Sequence, residues 1–353
     1  MNSRIDALQS VAAAPPKLDT AVVADAVAEQ FGLSGDYAPL VSERDQNFRV
    51  TKSDGTRFVV KVTSLVEDVA VTDFQIAVLL HLENHGLLGV PRIVRTRSGQ
   101  GRGTVCGADG VEFYLRVVTW LRGRLLRDGE ITPEIAGRIG QRLAGLDMAL
   151  LGFAHPGDSQ VLLWDTERAG DLRSLTHHIG DAVIRGQVDA VLQDFVERVK
   201  PNLLTLPRQV IHNDANNENI LLDTDDAVSG IIDFGDMLRA ARIIEVSTAA
   251  SYLRSAGDDP LQVIAPLVVG YHVTSPLAES EIDALFDLIR IRLVMTMAIL
   301  HWRLAAREDD DLYRQKTIDG ESDASDFLRR MSTLGCDAFH DRIHAEIEAK
   351  TTS

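Results

Sequence analysis

The sequence predicts an α+β protein of two lobes, a small antiparallel β-sheet lobe followed by a mostly helical lobe. β-prone alternation is concentrated before residue 119, whereas helical periodicity dominates after residue 123. The length of 353 residues suits about two domains. With 45% hydrophobic and 25% charged residues the chain can bury a sizeable core, which excludes a disordered chain and a small disulfide-stapled module.

The first lobe is expected over residues 20–118, after a flexible arm over residues 1–19 that shows little periodicity. Its pattern begins with a helix over residues 22–31 and a possible strand near residues 37–41. A hairpin follows, and its second strand, residues 57–62, is strongly β-prone. The remaining elements are a helix over residues 73–83 and an antiparallel strand pair over residues 91–96 and 111–118.

The second lobe is expected over residues 124–353, joined to the first by a hinge over residues 119–123. Apolar residues recur through it at intervals of three and four, which indicates helices that bury one face. The predicted helices cover residues 133–151, 172–185, 190–199, 243–255, 261–271, 279–306 and 325–348.

Net charge and cysteine content narrow the class of partner. Lys and Arg number 36 against 52 Asp and Glu, a net charge of −16, so the surface repels nucleic acid and favours cationic or amine-bearing ligands. Cys106 and Cys336 lie far apart, which suits a reducing compartment. Neither a secretory signal nor an apolar run long enough to span a membrane is visible. We therefore expect a cytoplasmic monomer or homodimer without a membrane or nucleic-acid partner.

Two short apolar strands, residues 220–222 and 230–232, predict a second hairpin. This hairpin would bring Asn219 and Asp233 close together. An amide oxygen beside a carboxylate is a hard donor pair suited to Mg²⁺ and to the phosphates of a nucleotide. Asp214 stands on the preceding loop, where it would accept the proton of a substrate hydroxyl.

The order of these residues is the HxDxxxxN and DFG pattern of kinase-type phosphotransferases. Here it consists of His212, Asp214 and Asn219, with Asp233 at the head of the DFG triplet. Either half alone carries little weight. Together, and with Lys61 in an upstream strand, they favour phosphotransfer over the alternative that the acidic residues only solvate turns.

The phosphate anchor is predicted in the first lobe. Lys61 lies in an apolar strand before a helix, as does the lysine that grips the α- and β-phosphates in kinase folds. Asp73 is the first candidate for its carboxylate partner and Glu67 the second, against the alternative of surface acids. The glycine loop of protein kinases is missing, so a small-molecule kinase is favoured in which Ser42 and Asn47, together with Arg44, cover the phosphates.

The chain resembles the aminoglycoside phosphotransferase/choline kinase superfamily over roughly residues 20–330, which implies a protein-kinase-like two-lobed fold. Within it, the sequence is most similar to hydroxylysine kinases and to the kinase-like domains fused to class III aminotransferases. The segments that carry the resemblance are residues 58–61, 73–75, 164–165, 210–216, 229–237, 270–272 and 292–293.

This resemblance implies a role for each matching position. His212 is expected to brace the catalytic loop rather than carry a proton. The co-substrate would be ATP or GTP, used with Mg²⁺. The implied roles are catalytic base for Asp214, Mg²⁺ ligands for Asn219 and Asp233, phosphate anchor for Lys61 with Asp73, and nucleobase contacts for the backbone of Thr119 and Leu121.

Candidate acceptor residues have two interpretations each. Trp164 and Asp165 place an aromatic face beside a carboxylate, which suits an ammonium group, but core packing with an exposed acid is an equal alternative. Asp236 would meet the metal or an amine, or else cap a following helix. Glu218 would face solvent or add to an acidic acceptor pocket.

Arg292 lies midway along an apolar helix and has two interpretations as well. It would bind a substrate carboxylate or form an internal salt bridge with Glu245.

Together these features predict a kinase that phosphorylates a hydroxyl of an amine-bearing metabolite, such as a hydroxylysine-like amino alcohol or amino acid. One alternative is an aminoglycoside O-phosphotransferase, since the carboxy-terminal region also carries several acidic residues. The other is a non-catalytic nucleotide-binding regulator.

Overall fold

The amino-terminal sheet is antiparallel, as its alternating pattern predicts. A computed structural model describes residues 15–42, 44–254, 257–306 and 312–351 of the chain. The six-stranded sheet has the order β1-β2-β3-β6-β4, with β5 also paired to β6. Its strands are β1 (Asp36–Leu40), β2 (Gln46–Thr51), β3 (Arg57–Val62), β4 (Ile93–Val94), β5 (Gly103–Cys106) and β6 (Glu112–Thr119).

Two helices accompany this sheet, α1 (Thr20–Phe31) and α2 (Val69–Asn84). Helix α1 begins after Asp19, whose side chain accepts a hydrogen bond from the N–H of Ala21, and it ends at Gly32 with a positive φ of 66°. Its buried face joins the apolar side of the sheet in one core. Residues 1–14 of the expected arm lie outside the described residues, whereas Leu18 exchanges two hydrogen bonds with the side chain of Gln46.

Helix α2 begins four residues earlier than predicted because Asp68 caps it, accepting a hydrogen bond from the N–H of Ala70 at 2.9 Å. Asp73 therefore lies in the second turn of the helix and not at its start. Strand β5 was not predicted, and β4 is shorter than expected.

The helical part matches the predicted fold class, which is confirmed. Its α-helices are α3 (Pro133–Ala149), α4 (Ala182–Asp194), α5 (Lys200–Leu203), α6 (Ile243–Tyr252), α7 (Leu261–Thr274), α8 (Glu279–Ala306), α9 (Leu312–Leu334) and α10 (Cys336–Thr351). Short 3-10 helices cover Leu126–Asp128, Thr166–Ser174 and Thr176–His178, and a π-helical turn covers Phe195–Val199.

Two helix predictions in this part are wrong. The segment 172–185 forms 3-10 turns followed by α4, because Asp181 caps a new helix and accepts hydrogen bonds from the N–H groups of Val183 and Ile184. The segment 325–348 is split into α9 and α10 at Gly335, whose φ is 81°.

Five further strands and one close helix crossing complete the fold. β7 (Arg124–Leu125), β9 (Ile220–Leu222) and β10 (Val228–Ile231) form one sheet, and β8 (Arg208–Ile211) pairs with β11 (Leu238–Ala241). Helices α3 and α7 cross so closely that a Cβ atom on Gly140 would collide with the backbone of Leu267. Among the described helices, none is long and apolar enough to cross a membrane.

Contacts divide the chain into two units. The first contains the described residues up to Arg122 with Ala154–Val161 and Gly230–Ile232, and the second contains Gly123–Phe153, Leu162–Ser229 and the described residues from Asp233 onwards. The main division falls between Arg122 and Gly123, inside the segment expected to be a hinge.

Candidate active site

The two segments predicted to carry chemistry begin at the same edge of a short sheet. Strands β8 and β11 are antiparallel, and Ile211 at the end of β8 faces Leu238 at the start of β11. The first residue of the loop after β8 and the last residue of the loop before β11 are therefore neighbours. These loops, residues 212–219 and residues 233–237, are called here the catalytic loop and the DFG loop.

A left-handed asparagine turns the catalytic loop. Asn213 has a φ of 63°, a conformation that asparagine tolerates better than most residues, and it is fully buried. Its backbone N–H donates to Oε2 of Glu245 at 3.0 Å. Its side-chain amide donates to the carbonyl oxygens of Asp236 at 3.1 Å and Trp164 at 3.4 Å. Asn213 therefore joins the catalytic loop to the DFG loop.

Asp214 follows this turn and is held by two asparagines of its own loop. The amide nitrogen of Asn219 donates to Oδ2 of Asp214 at 2.6 Å and to its carbonyl at 2.9 Å. The amide nitrogen of Asn216 donates to Oδ1 at 2.8 Å. These bonds fix both oxygens of the carboxylate, as a base that must meet a hydroxyl in one orientation requires.

The electrostatic surroundings of Asp214 make its carboxylate more basic. Burial raises the pKa of Asp214 well above its ordinary value, the carboxylates of Asp236 and Asp233 raise the pKa further, and the guanidinium of Arg292 opposes them. A carboxylate with a raised pKa accepts a proton more readily than an ordinary surface carboxylate. The hydrogen bond from the Asn213 amide to the carbonyl of Asp236 places the DFG loop beside this carboxylate.

The DFG loop presents its first aspartate to solvent and buries its phenylalanine. Asp233 is exposed and has a φ of 61°. Phe234 packs edge-on against His212, with ring centroids 4.8 Å apart. His212 is completely buried, and its Nδ1 accepts a hydrogen bond from the N–H of Asp214 at 3.3 Å. This is the position of a histidine that supports the loop.

The donor set fits a divalent cation. Because the amide nitrogen of Asn219 is bonded to Asp214, its amide oxygen is the atom that can ligate a metal. The carboxylate of Asp233 is exposed on the DFG loop, and hard oxygen donors of this kind are those that Mg²⁺ and Ca²⁺ prefer.

Two buried carboxylates lie near the catalytic loop, and that of Glu245 is hydrogen-bonded to it. Glu245 on α6 is completely buried, and burial raises its pKa while its hydrogen bond from Asn213 acts to lower it. Asp147 on α3 is also buried, and its Oδ2 accepts a hydrogen bond from the hydroxyl of Tyr271 at 2.5 Å. Burial and the nearby Glu245 raise the pKa of Asp147.

The two candidate partners of Lys61 lie in different surroundings. Asp73 forms an ion pair with Arg102 at 2.7 Å, and its side chain is 45% exposed. Lys61 faces Arg116 in the sheet register, so both side chains lie on one face of the sheet. Glu67 lies 4.0 Å from Arg116 with its side chain only 11% exposed. Asp73 is thus paired with Arg102 and Glu67 lies beside Arg116, and the choice between them as the partner of Lys61 remains a prediction.

The other predicted nucleotide contacts lie on or beside the first sheet. Asn47 faces Lys61 across β2 and β3 and is 8% exposed, and its buried Oδ1 has no hydrogen-bond partner among the residues that the structure describes. Ser42 accepts a hydrogen bond from the N–H of Asp45. The N–H of Thr119 already donates to the carbonyl of Arg92 at 3.0 Å, so it cannot donate to a nucleobase. Leu121 follows β6, and its role remains a prediction.

Two candidate acceptor residues already interact with other groups of the protein. Asp165 caps the 3-10 helix Thr166–Ser174 through the N–H of Glu167, and it is 7% exposed rather than an exposed acid. Glu218 forms an ion pair with Arg127 at 2.7 Å. The helix-capping alternative for Asp236 is wrong, since strand β11 follows it.

Arg292 supports the backbone of the site. It is 1% exposed and donates to the carbonyl oxygens of Trp164 at 2.8 Å and Asn213 at 3.5 Å. Its Cζ lies 4.8 Å from the centre of the Trp164 ring. The predicted contact with a substrate carboxylate therefore does not suit Arg292, because its guanidinium is buried against protein carbonyls.

A family model described as the phosphotransferase enzyme family matches residues 36–277, more than half of the chain. The chain belongs to this family. It is thus a kinase that acts on a hydroxyl group of a small molecule, which confirms the reaction class and family predicted from the motifs.

Similar proteins include hydroxylysine kinase from Danio rerio, 29% identical over 313 residues that cover 84% of this chain and 88% of that protein. Homoserine kinase from Brucella abortus is 29% identical over 63% of this chain and 66% of its own. A solved structure of amicoumacin kinase hAmiN in complex with AMP-PNP, Ca²⁺ and Ami has a TM-score of 0.65 at 14% identity, covering 92% of this chain and 94% of that one.

Sequence reasoning overlooked three residues of the site. Asn213 and Asn216 stand within the motif, where a run of asparagines is itself a signal of left-handed turns and local hydrogen bonds. Glu245 was considered only as a partner of Arg292. A single acid in the apolar stretch of α6 is the signal that could have identified it as a buried acceptor.

Proposed function

We propose that this kinase transfers the γ-phosphoryl group of ATP or GTP to the side-chain hydroxyl of 5-hydroxylysine or a close hydroxylated amino acid. The observation that carries the proposal is the carboxylate of Asp214, oriented by Asn216 and Asn219 and surrounded by further acids. Similarity to hydroxylysine and homoserine kinases supports an amino-acid acceptor.

In the proposed reaction Asp214 accepts the proton of the acceptor hydroxyl as its oxygen attacks the γ-phosphorus. The new O–P bond forms while the bond to the β-phosphate oxygen breaks, and that electron pair leaves with the nucleoside diphosphate. Mg²⁺ held by Asn219 and Asp233 would neutralise charge on the phosphates. Lys61, supported by Glu67, is proposed to hold the phosphates.

The acidic surroundings suit the amine of such an acceptor. Asp236 lies close to Asp214, as its effect on the pKa of Asp214 indicates, and its carboxylate can pair with an ammonium group. Phosphorylation of the neighbouring hydroxyl would then be favoured by positioning more than by chemistry on the protein.

The test is an assay of nucleoside diphosphate release with Mg²⁺, using ATP and GTP separately against hydroxylysine, homoserine and aminoglycosides. Hydroxylysine or homoserine should drive release, and Asp214→Ala should reduce turnover by about a thousandfold with nucleotide binding retained. Asp225→Ala, an exposed acid of the β9–β10 turn, is the matched control. Turnover with aminoglycosides alone would contradict the acceptor class, and normal turnover of Asp214→Ala would contradict the assignment of the base.

A further inference from the structure

Helices α8 and α10 pack against each other along an apolar contact. The ring centroids of Phe286 and Phe339 lie 5.5 Å apart, and Phe339 is completely buried. At the rim of this contact Nε2 of His344 lies 3.3 Å from Oε1 of Glu279. Glu279 precedes the ring pair in α8, whereas His344 follows it in α10, so the two helices run antiparallel. Polar residues along this rim therefore face one another across the two helices.

Three side chains with metal-binding atoms converge at this rim. Glu279 and Asp283 are four residues apart in α8 and share one face of the helix. One ligand atom from each of these acids and one from His344 all lie within 4.8 Å of one another. Both acids are exposed and His344 is partly exposed, whereas the adjacent Ile282 and Ile343 are buried. The core thus holds the backbone that carries these ligands while their side chains reach solvent.

The charges of this cluster are not balanced by the protein. Two carboxylates four residues apart in a helix repel each other. Within the part of the chain that the structure describes, neither Glu279 nor Asp283 is paired with an arginine or a lysine. The contact of Glu279 with His344 is an ion pair only when the imidazole is protonated. A divalent cation would neutralise both carboxylates and would accept the neutral imidazole as a ligand.

The donor set suits zinc better than magnesium or calcium. An imidazole nitrogen is a ligand for Zn²⁺, whereas Mg²⁺ and Ca²⁺ take oxygen ligands. Zinc is commonly held by three protein ligands and one water in a tetrahedron. Two atoms bound to the same tetrahedral zinc lie about 3.4 Å apart, and the nitrogen of His344 and the oxygen of Glu279 are already 3.3 Å apart. Rotation of the exposed Asp283 side chain would complete the set.

We propose that Glu279, Asp283 and His344 bind one Zn²⁺ ion, which links α10 to α8 and stabilises their packing. Two ligands come from one helix and the third from the other, so the ion would bridge the two helices. The site shares no residue with the pair proposed to hold Mg²⁺, Asn219 and Asp233. Its effect is therefore expected on stability, independently of phosphotransfer.

The test is calorimetric titration of the full chain with zinc chloride, together with thermal unfolding. The wild type should bind one ion with a Kd of about 10 µM or tighter. Its unfolding temperature should rise by about 2 °C or more with about 100 µM zinc. His344→Ala and Asp283→Asn should each weaken binding at least about tenfold and lose this rise, while unfolding as the wild type does without zinc. Asp25→Asn, an exposed aspartate on α1, is the matched control.

Two other groups of this chain could take the ion instead. His177 and His178 have ring centroids 3.9 Å apart, and Asp233 is exposed on the DFG loop. Zinc binding that His177→Ala or Asp233→Asn removes and His344→Ala retains would overturn the proposal, as would a wild type that binds no zinc. With Co²⁺ as the probe, the visible absorption of a tetrahedral site should be present in the wild type and absent in His344→Ala. The same spectrum in both proteins would also contradict the assignment.

Discussion

The backbone N–H of Asn213 donates to Oε2 of Glu245 at 3.0 Å, across 32 positions of sequence. Asn213 precedes the predicted base and has a left-handed backbone, so the buried carboxylate of Glu245 stabilises the conformation that aims Asp214. Glu245 is not expected to exchange a proton with the substrate. Its contribution is to the position of the loop.

Replacing the carboxylate of Glu245 should lower both the stability of the protein and its turnover. We expect Glu245→Ala to lower the free energy of unfolding by about 1–3 kcal/mol, because a buried N–H loses its partner, and to lower kcat more than it changes KM for nucleotide. Glu245→Gln keeps an acceptor oxygen and should retain most of both properties. Urea unfolding and steady-state kinetics provide the measurement, and equal loss in the two variants would argue against the bond.

The choice between Glu67 and Asp73 can be tested by a matched pair of neutral substitutions. If Glu67 is the partner of Lys61, Glu67→Gln should raise KM for the nucleotide at least about tenfold, because the lysine loses a charged and buried partner. Asp73→Asn should have a smaller effect, since it removes an ion pair with Arg102 that is partly exposed. The reverse order of effects would restore Asp73 as the partner of Lys61.

Asp165 should make stability depend on pH. Burial and the nearby Glu167 raise the pKa of Asp165 from 3.8 to about 6. The folded state therefore binds the proton more tightly than the unfolded state, and stability falls as pH rises from about 4 to 6.

Asp165→Asn keeps the oxygen that accepts from Glu167 and removes this titration. The variant should match the wild type near pH 4 and be more stable by about 2–3 kcal/mol at pH 7.5. Urea unfolding across this range measures the difference. Parallel stability curves for the two proteins would show that Asp165 does not titrate in this way.

Two glycines of helix α3 should respond in opposite directions to alanine. A Cβ on Gly140 would meet the backbone of α7, including the nitrogen of Tyr271 at 2.7 Å, so Gly140→Ala should cost about 1–3 kcal/mol. Apart from the chain neighbours and the backbone of its own helix, no atom of the described residues lies within 4 Å of a Cβ on Gly145, so Gly145→Ala should stabilise the helix by about 0.5–1 kcal/mol. Thermal unfolding of both variants checks the crossing, which would be looser than described if Gly140→Ala were neutral.

Local signals account for the parts of the fold that the sequence predicted well. Helix α8 has the predicted ends, Glu279 and Ala306, because a long apolar repeat specifies it without help from distant residues. The apolar spacing of residues 172–185 alone predicts one helix, whereas the caps at Asp165 and Asp181 divide the segment into a 3-10 stretch and the start of α4.

The support of the site was harder to predict because it depends on contacts distant in sequence. Arg292 and Trp164 are separated by 128 positions, and their side chains give no periodic signal of the contact. The motif identified Asp214, Asn219 and Asp233, since their spacing is local. The groups that hold the turn at Asn213, just before Asp214, come from α6, α8 and Trp164, and only the packing of these elements reveals them.

The pairing of Ile211 with Leu238 also limits how the gene can vary. The DFG loop enters β11 at a fixed register, so inserting or deleting one residue between Asp233 and Leu238 would either move Asp233 relative to the strand or slip β11 by one residue, which turns its side chains to the opposite face. Residues 223–226 of the turn between β9 and β10 are exposed. Length differences among related genes should therefore accumulate in that turn, while the loop after Asp233 keeps a constant length.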